Sequence, residues 1–444
     1  MKFVLASWGS RGDVEPCAAV GRELMRRGHQ VHVAVPPDLV GLVESAGLAA
    51  VAYGVDMKTT MAALRNFWTC LFRHPWRIRN LLRAYREAWQ LVTRCRGELS
   101  TTLMSLVDGA DLLFTGLPFE QPAANIAEYY DIPLATLHYV PARANGRVVP
   151  SVPAPVTRSV MTMIWWFVSR LMANPDRAQR RELGLPVAKG SSSRRSAERG
   201  SLEIQAYDEA CFPGLAAEWA KWEGQRPFVG SLTMALPTDT DDEVASWIAA
   251  GPPPIYFGFG SMPQCSAVDS VTETVAMIAA ACGQLGERAL VCSTWGDLSC
   301  VPHFEHVKVV PVVNFAATFP ACRALVHHGG AGTTAAGLRA GVPAVILWTL
   351  PDQPIWGAQL KRQGLGTVRR LSSTTRHSLV ADLRTILAPQ YAIRARQFAG
   401  EMSKPADSVT NAADLLENLA EVRCMARGRV HTEVADLDRV ASDG

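Results

Sequence analysis

The sequence predicts an α/β protein of two Rossmann-like halves, each a doubly wound parallel sheet, facing one another across a cleft. Three observations carry that expectation. First, the chain has 444 residues, and single hydrophobic cores stop growing near ~250–300 residues, so two domains of roughly 200 residues each are expected. Second, short apolar runs alternate with helical stretches, and this alternation starts afresh at Pro254. Strands alternating with helices make parallel sheets covered on both faces. Third, each half carries a glycine-bearing turn straight after an apolar run, at Gly9 and at Gly329. Doubly wound sheets hold ligands at such strand ends.

In chain order, Lys2–Ser7 is a strand and Pro16–Arg27 a helix opened by proline. Gln30–Val35 is a second strand, Asp38–Ala46 a helix and Leu48–Tyr53 a third strand. A helical insertion rich in arginine and tryptophan occupies Lys58 to Leu106. The strands Asp111–Thr115 and Pro133–His138 flank a helix over Phe119–Tyr129. The stretch Asp176–Ser201, with Gly-Ser-Ser-Ser-Arg-Arg-Ser, reads as a mobile loop. The second set has strands Ile255–Phe259, Arg288–Cys292, Val307–Val310, Ala324–His327 and Ala344–Trp348. Between them lie helices over Ser270–Leu285, Thr333–Ala340 and Gln353–Gln363. Ser408–Val422 is a last amphipathic helix. The expected divisions are residues 1–226, a connection over 227–243, a second half over 244–424 whose last helix packs back on the first, and a loose tail over 425–444.

Composition narrows the function. Apolar residues make up 48% and charged residues 19%, which excludes disordered and low-complexity classes. A net charge of +3 is too small for nucleic-acid binding driven by bulk charge, so no nucleic-acid partner is expected. The N-terminal apolar run meets Trp8-Gly9-Ser10 at once, too short for a signal peptide. Val160–Val168 is about half of the ~20 residues that a membrane span needs. Ten scattered cysteines, none in a C-x-x-C pair, suit reduced thiols in a cytoplasmic protein.

The segment His327-His328-Gly329-Gly330-Ala331-Gly332-Thr333-Thr334 is the most informative. Glycines let backbone N–H groups approach a phosphate, and the helix that follows favours negative charge at its N-terminus. Adjacent residues at a strand end face opposite ways, so only one of the two histidines readily reaches the phosphate. Asp352-Gln353 occupies the next strand-to-helix turn, where a carboxylate beside an amide suits the vicinal hydroxyls of a sugar; a helix N-cap is the alternative use of Asp352. Gly258-Phe259-Gly260-Ser261 is a further candidate phosphate or ribose contact. Val312-Val313-Asn314 could meet a base edge through its backbone, and Trp295 is a weaker candidate. In the first half, Ser10 and Arg11 sit in the glycine turn with Arg11 placed to face phosphate. Asp13 is either a general base or an N-cap, and no histidine precedes His29.

These motifs resemble those of family 1 glycosyltransferases of the GT-B fold, over essentially the whole chain. Gly9-Ser10-Arg11-Gly12-Asp13-Val14 resembles the first-loop segment of the vancomycin-type and sterol glycosyltransferases. His327–Thr334, Arg339-Ala340-Gly341-Val342-Pro343 and Asp352-Gln353 resemble their nucleotide-sugar motif. The mycobacterial branch that decorates lipids and glycopeptidolipids is similar. Plant members carry a histidine base in the first loop and a tryptophan–asparagine pair in the glycine loop, and this chain has neither.

The resemblance implies an acceptor-binding first half, a donor-binding second half, Asp13 as base and His328 as the diphosphate ligand. Ser10, Arg11, Gly260, Ser261, Val313, Gly329, Gly330, Ala331, Gly332, Thr333, Asp352 and Gln353 complete the donor site. The expected reaction is a single inverting displacement from a UDP- or dTDP-hexose or 6-deoxyhexose, with no cofactor and no metal. Arg65, Arg73, Arg77, Arg79, Arg83, Arg86 and Arg94 with Trp68, Trp76 and Trp89, and the run Met161–Phe167 before a basic loop at Arg194 and Arg195, suggest a hydrophobic or lipid-linked acceptor. They also suggest peripheral contact with an anionic membrane. Core packing of those tryptophans is the plainer alternative. A nucleotide-sugar epimerase of the same fold and a non-catalytic lipid-binding protein are the rival functions. An NAD-dependent dehydrogenase fits less, because no G-x-G-x-x-G follows the first strand and Pro36-Pro37 stands where an acid should end the second.

Overall fold

The computed structural model describes residues 1–57, 59–60, 67, 70, 76–260, 271–293, 301–350 and 352–442. Strands β1 (Lys2–Ala6), β2 (Gln30–Val35), β3 (Ala50–Ala52), β4 (Leu112–Gly116), β5 (Leu134–His138) and β6 (Leu202–Gln205) pair in parallel in the order 3-2-1-4-5-6. The second sheet has β7 (Ile255–Gly258), β8 (Ala289–Cys292), β9 (Val307–Val310), β10 (Ala324–His327), β11 (Ala344–Trp348) and β12 (Gly366–Arg370), ordered 12-11-10-7-8-9. Both sheets therefore have the same winding, with a switch point between β1 and β4 in one and between β7 and β10 in the other. Central strands such as Phe3–Ala6 and Leu112–Phe114 are buried throughout, as a sheet sandwiched between helices requires.

Helix α1 (Arg11–Arg26) begins five residues before the expected Pro16. Ser10 caps it and Asp13 answers from the third helical position, a reciprocal capping box that starts the helix inside the glycine turn. The helical insertion is seen as α2 (Ile78–Val107); Arg65, Trp68 and Arg73, like Ser261 and Trp295, lie outside the described residues. Helix α3 (Glu120–Tyr129) follows β4, and α4 (Ala154–Glu182) follows β5.

The mobile loop expected over 176–201 is overturned. Helix α4 runs on through Asp176, and α5 (Ser192–Glu198) forms inside the polar run, capped by the Ser191 hydroxyl. Arg195, expected in a basic loop, anchors α5 by donating to both Asp176 oxygens (3.0 and 3.1 Å), while Arg194 pairs with Glu198 at 2.7 Å. Strand β6, unmarked by any alternation, is buried on both faces. The strand β12 and the helices Arg376–Ile386 and Pro389–Ala399 stand beyond the elements that the sequence predicts.

Helix α6 (Ala331–Arg339) follows β10 and α7 (Gln353–Arg362) follows β11. The last helix, α8 (Pro405–Ser442), continues through the stretch expected to be loose, where alanine, arginine, glutamate and leucine are good helix formers. It crosses to the first half, where Ala412, Ala413, Leu416 and Ala420 join the core of Phe3, Cys17, Val20 and Leu24. Arg27 pairs there with Asp414 (2.6 Å) and Glu417 (2.5 Å).

Residues 231–233 and 403–408, where the chain passes between the halves, meet at one side chain. Arg339 donates to the Ser231 carbonyl (2.8 Å), the Thr233 hydroxyl (3.0 Å), the Ser403 carbonyl (2.8 Å) and the Ser408 hydroxyl (3.2 Å).

Candidate active site

The carboxyl ends of both sheets carry the residues that the sequence singles out. The Asp13 carboxyl is fixed by its own loop: Oδ2 accepts from the Ser10 N–H (2.7 Å) and the Ser10 hydroxyl (3.0 Å), and the Asp13 carbonyl accepts from Ser7 Oγ at 2.8 Å. Gly9 is required beside it, since a Cβ there would lie 2.2 Å from Asp13 Oδ2. The cap role and a place at the cleft thus coincide in one side chain. Burial pushes the Asp13 carboxyl above its ordinary range, opposed by the hydrogen bonds from Ser10.

Opposite stands the loop after β10. His327 is fully buried and its Nδ1 accepts from the Gly329 N–H at 3.1 Å, so this ring braces the turn from behind. Burial, then the neighbouring His328, holds it down to about 3, and it is neutral at physiological pH. His328 turns the other way, as strand alternation demands. A Cβ on Gly260 would lie 2.7 Å from its Cε1, and one on Gly330 would lie 2.6 Å from its Nε2, so only glycines leave room for the ring between the two loops. Burial pushes His328 down to about 4. Gly330 caps α6, and the free N–H groups of Ala331, Gly332 and Thr333 form its first turn. The Thr334 hydroxyl donates to the Gly330 carbonyl (2.8 Å) and closes that turn. This is an anion site by construction.

Asp352 caps α7 by position but makes no side-chain cap bond. Its own surface is exposed, yet the walls of the cleft, and Asp13 across it, push its carboxyl upward. The two acids are therefore close enough for their charges to act on each other. Gln353 is buried, and its Oε1 accepts from Thr349 N (2.7 Å), Leu350 N (3.0 Å) and Thr349 Oγ1 (3.2 Å). Its carbonyl is committed to shaping the loop that presents Asp352.

Arg11 pairs with Glu15 at 3.0 Å on its own helix, and its charge also acts on Tyr256 and Cys292 of the second half. Val313 is buried; the Val312 carbonyl beside it is taken by the Thr240 hydroxyl at 2.6 Å, and Asn314 caps the short helix Phe315–Thr318.

Two features escaped the sequence. Tyr139, the residue after β5, is close enough for its phenol to feel the charges of both Asp13 and Asp352. The second is a largely buried quartet: Arg143 meets Glu120 (2.5 Å) and Glu203 (2.7 Å), and Arg226 meets Glu203 (2.7 Å). A polar residue directly after a strand is the signal that could have marked Tyr139. Nothing local marks the quartet, whose members come from four separate segments.

Two doubly wound halves, with an anion-binding glycine loop facing a loop-fixed carboxylate, are the architecture of a GT-B glycosyltransferase. Residues 3–108 match the glycosyltransferase family 28 N-terminal domain, and residues 276–419 match the erythromycin biosynthesis protein CIII-like C-terminal domain. An uncharacterized glycosyltransferase of Mycobacterium leprae is 58% identical over 423 residues, covering 95% of this chain and 97% of that one. A sterol 3-beta-glucosyltransferase of Arabidopsis thaliana is 28% identical over 411 residues, covering 87% of this chain and 64% of that one. The crystal structure of the Streptomyces sp. SF2575 glycosyltransferase SsfS6, complexed with thymidine diphosphate, superposes with a TM-score of 0.59 at 20% identity, covering 93% of this chain and 99% of that one. The chain belongs to the glycosyltransferases.

Proposed function

We propose that this glycosyltransferase moves a hexose or 6-deoxyhexose from a UDP- or dTDP-sugar to a hydroxyl of a hydrophobic acceptor, a glycolipid or glycopeptidolipid, with inversion. The observation that carries the reading is that the loop-fixed Asp13 and the His328–glycine loop each stand at the carboxyl end of a doubly wound sheet. Asp13 removes the acceptor proton as the oxygen attacks the anomeric carbon. The departing diphosphate is met by His328 and the first turn of α6, with Ser10, Arg11 and Gly260 at the rim, so no metal and no cofactor enter this scheme. Asp352 holds sugar hydroxyls. The thymidine diphosphate on the Streptomyces neighbour supports the donor class, and the sterol substrate in the plant relative's name supports an apolar acceptor.

A thermal-shift panel of UDP- and dTDP-sugars tests the donor half: a true donor at 100 times its Kd stabilises by about 2.7 kcal/mol. His328→Ala is expected to abolish most of that shift while leaving the ligand-free melting temperature close to wild type. His327→Ala is expected to lower the ligand-free melting temperature instead, because it unpairs the Gly329 N–H. Equal losses of ligand shift in both variants would count against the assignment. Turnover of donor alone to an epimeric sugar would favour the epimerase.

The acceptor surface is the exposed side of α4, where Val160, Met163, Ile164, Trp166 and Phe167 stand in solvent, with Trp166 and Phe167 each 62% exposed. Trp165, one residue away, turns inward and donates to the Ala142 carbonyl at 2.5 Å. The same sequence run thus serves both core and surface. Gln179 of α4 donates to the Ser100 hydroxyl of α2 at 3.1 Å. At the other end of α2, Trp76, Ile78 and Leu82 are exposed together with Arg77, Arg79, Arg83 and Arg86, and we assign these basic and apolar residues to the same acceptor surface. Among the described residues no helix is long and apolar enough to cross a membrane; this face rests on an anionic membrane at its cytoplasmic side. Co-sedimentation with phosphatidylserine vesicles is expected at low salt, fading with salt and in Arg77→Glu/Arg79→Glu. No sedimentation at low salt would leave a freely dissolved acceptor.

A further inference from the structure

Arg339 stands in the stretch that resembles a nucleotide-sugar motif, yet the acceptors of its guanidinium among the described residues belong to the two passages between the halves. Its place on the helix matters. Arg339 is the last residue of α6, a helix of nine residues whose first turn is the anion site. About 13 Å of rigid backbone therefore joins that site to the passages. Each passage is also gripped from the first half. Glu15 of α1 accepts from the Met234 N–H at 3.0 Å, and Asp208, shortly after β6, accepts from the Ser403 N–H at 2.6 Å. Leu232 and Met234 pack into clusters of the first half, while Thr233 between them turns its hydroxyl to Arg339. The passages lie against one another there: a Cβ on Gly230 would stand 2.5 Å from Ser408 Oγ.

We infer that Arg339 is a positioning residue for the transfer, its guanidinium clamping both passages and so setting how the donor half stands against the half that carries Asp13. This rests on the reading that base and donor belong to different halves. The distance from base to anomeric carbon is then a property of neither sheet alone. It is fixed where the chain crosses, by α1 through Glu15 on one side and by α6 through Arg339 on the other. Both helices begin at the site, α1 with the capping box of Asp13 and α6 with the diphosphate turn. A planar fork reaches acceptors on two stretches of chain at once, whereas a lysine would bring a single nitrogen with three donors.

Arg339→Met keeps a long side chain and removes every donor. With dTDP-glucose or UDP-glucose as donor, 4-methylumbelliferone as acceptor and nucleotide release as the readout, kcat is expected to fall about 10²-fold, the effect of a misplacement near ~1 Å. The affinity for dTDP, measured by calorimetry, should stay within about threefold, which separates a transition-state effect from uniform binding. Amide hydrogen exchange over residues 231–234 and 403–408 should become about tenfold faster, although Glu15 and Asp208 remain as acceptors. Arg339→Lys should fall between the two enzymes in rate and in exchange. Thr233→Val/Ser408→Ala removes two acceptors and leaves the guanidinium on its carbonyls. Its smaller loss of kcat, with dTDP affinity kept, tests the clamp even where the methionine variant fails to fold.

A wild-type kcat in these variants would overturn the inference. So would a fall in kcat that comes with unchanged exchange, or with an equal loss of dTDP affinity. Asp13→Asn tests the reading beneath: an undiminished rate there removes the base from the first half, whatever the Arg339 variants do.

Discussion

Asp13→Asn is expected to lose ~10²–10⁴-fold in kcat, the usual contribution of a positioned general base, while binding dTDP as the wild type does. The structure explains why this substitution is clean. The Ser10 N–H and hydroxyl donate to one oxygen of the carboxyl, and an asparagine Oδ1 accepts both, so the capping box at the head of α1 survives. What disappears is the ability to take a proton. Stopped assays for kcat and calorimetry for dTDP read the two effects separately. A variant that retains more than about a tenth of wild-type kcat would remove Asp13 from the base role.

Arg143→Met is expected to cost about 3–5 kcal/mol of stability, because it strands the buried Glu120 and takes from buried Glu203 one of its two guanidinium partners. Arg143, Glu120 and Glu203 are each less than a tenth exposed, and Arg143 alone touches both carboxylates. Glu203 has two guanidinium partners. Burial pushes it up, but Arg143 and Arg226 outweigh that and hold it at about 2. Glu120, bonded among the described residues only to Arg143, stays above its ordinary value because burial prevails there. A depressed carboxylate contributes stability that is present above its unfolded value, near ~4.3, and that is lost as the pH falls through about 2. In Arg143→Met that acid loss begins at higher pH. Denaturant melts between pH 3 and pH 7 measure both the size and the shift, and a variant as stable as wild type at pH 7 would show that the quartet carries no net stability. Turnover should fall as well, since residues 139–147 descend from Tyr139 to this anchor.

The sequence made the architecture legible where two signals coincide. Apolar runs such as Phe3–Ala6 and Ala344–Leu347 are bounded by glycine or polar turns, and each became a central strand. The glycine loops were legible for the same reason, because a backbone that must pass within contact of His328 admits no Cβ at Gly260 or Gly330. The failures have physical causes too. Serine and arginine at 191–195 look like loop residues when alone. A serine cap and an ion pair to Asp176, nineteen residues back, turned them into a helix. Gln353 also shapes its own loop, its carbonyl accepting from the Thr349 and Leu350 N–H groups, a use that the sequence alone does not announce. Tyr139 was invisible as a neighbour of Asp13, since only the sheet order β1-β4-β5 brings residues so far apart in sequence to one edge.

The passage of α8 back onto α1 means that the two halves are not interchangeable modules. Ala412, Ala413, Leu416 and Ala420, supplied by the far end of the chain, complete the core around Leu24 and Val20. A gene fragment ending at Arg226 would encode a first half with that wall missing, and ribosomes finish the wall last. The helix that begins with the base therefore waits for almost the whole chain to emerge before it is fully covered. Chimeras that exchange the donor half for that of another glycosyltransferase inherit the same constraint: the splice must carry α8 with the first half, or re-fit its inner face to α1.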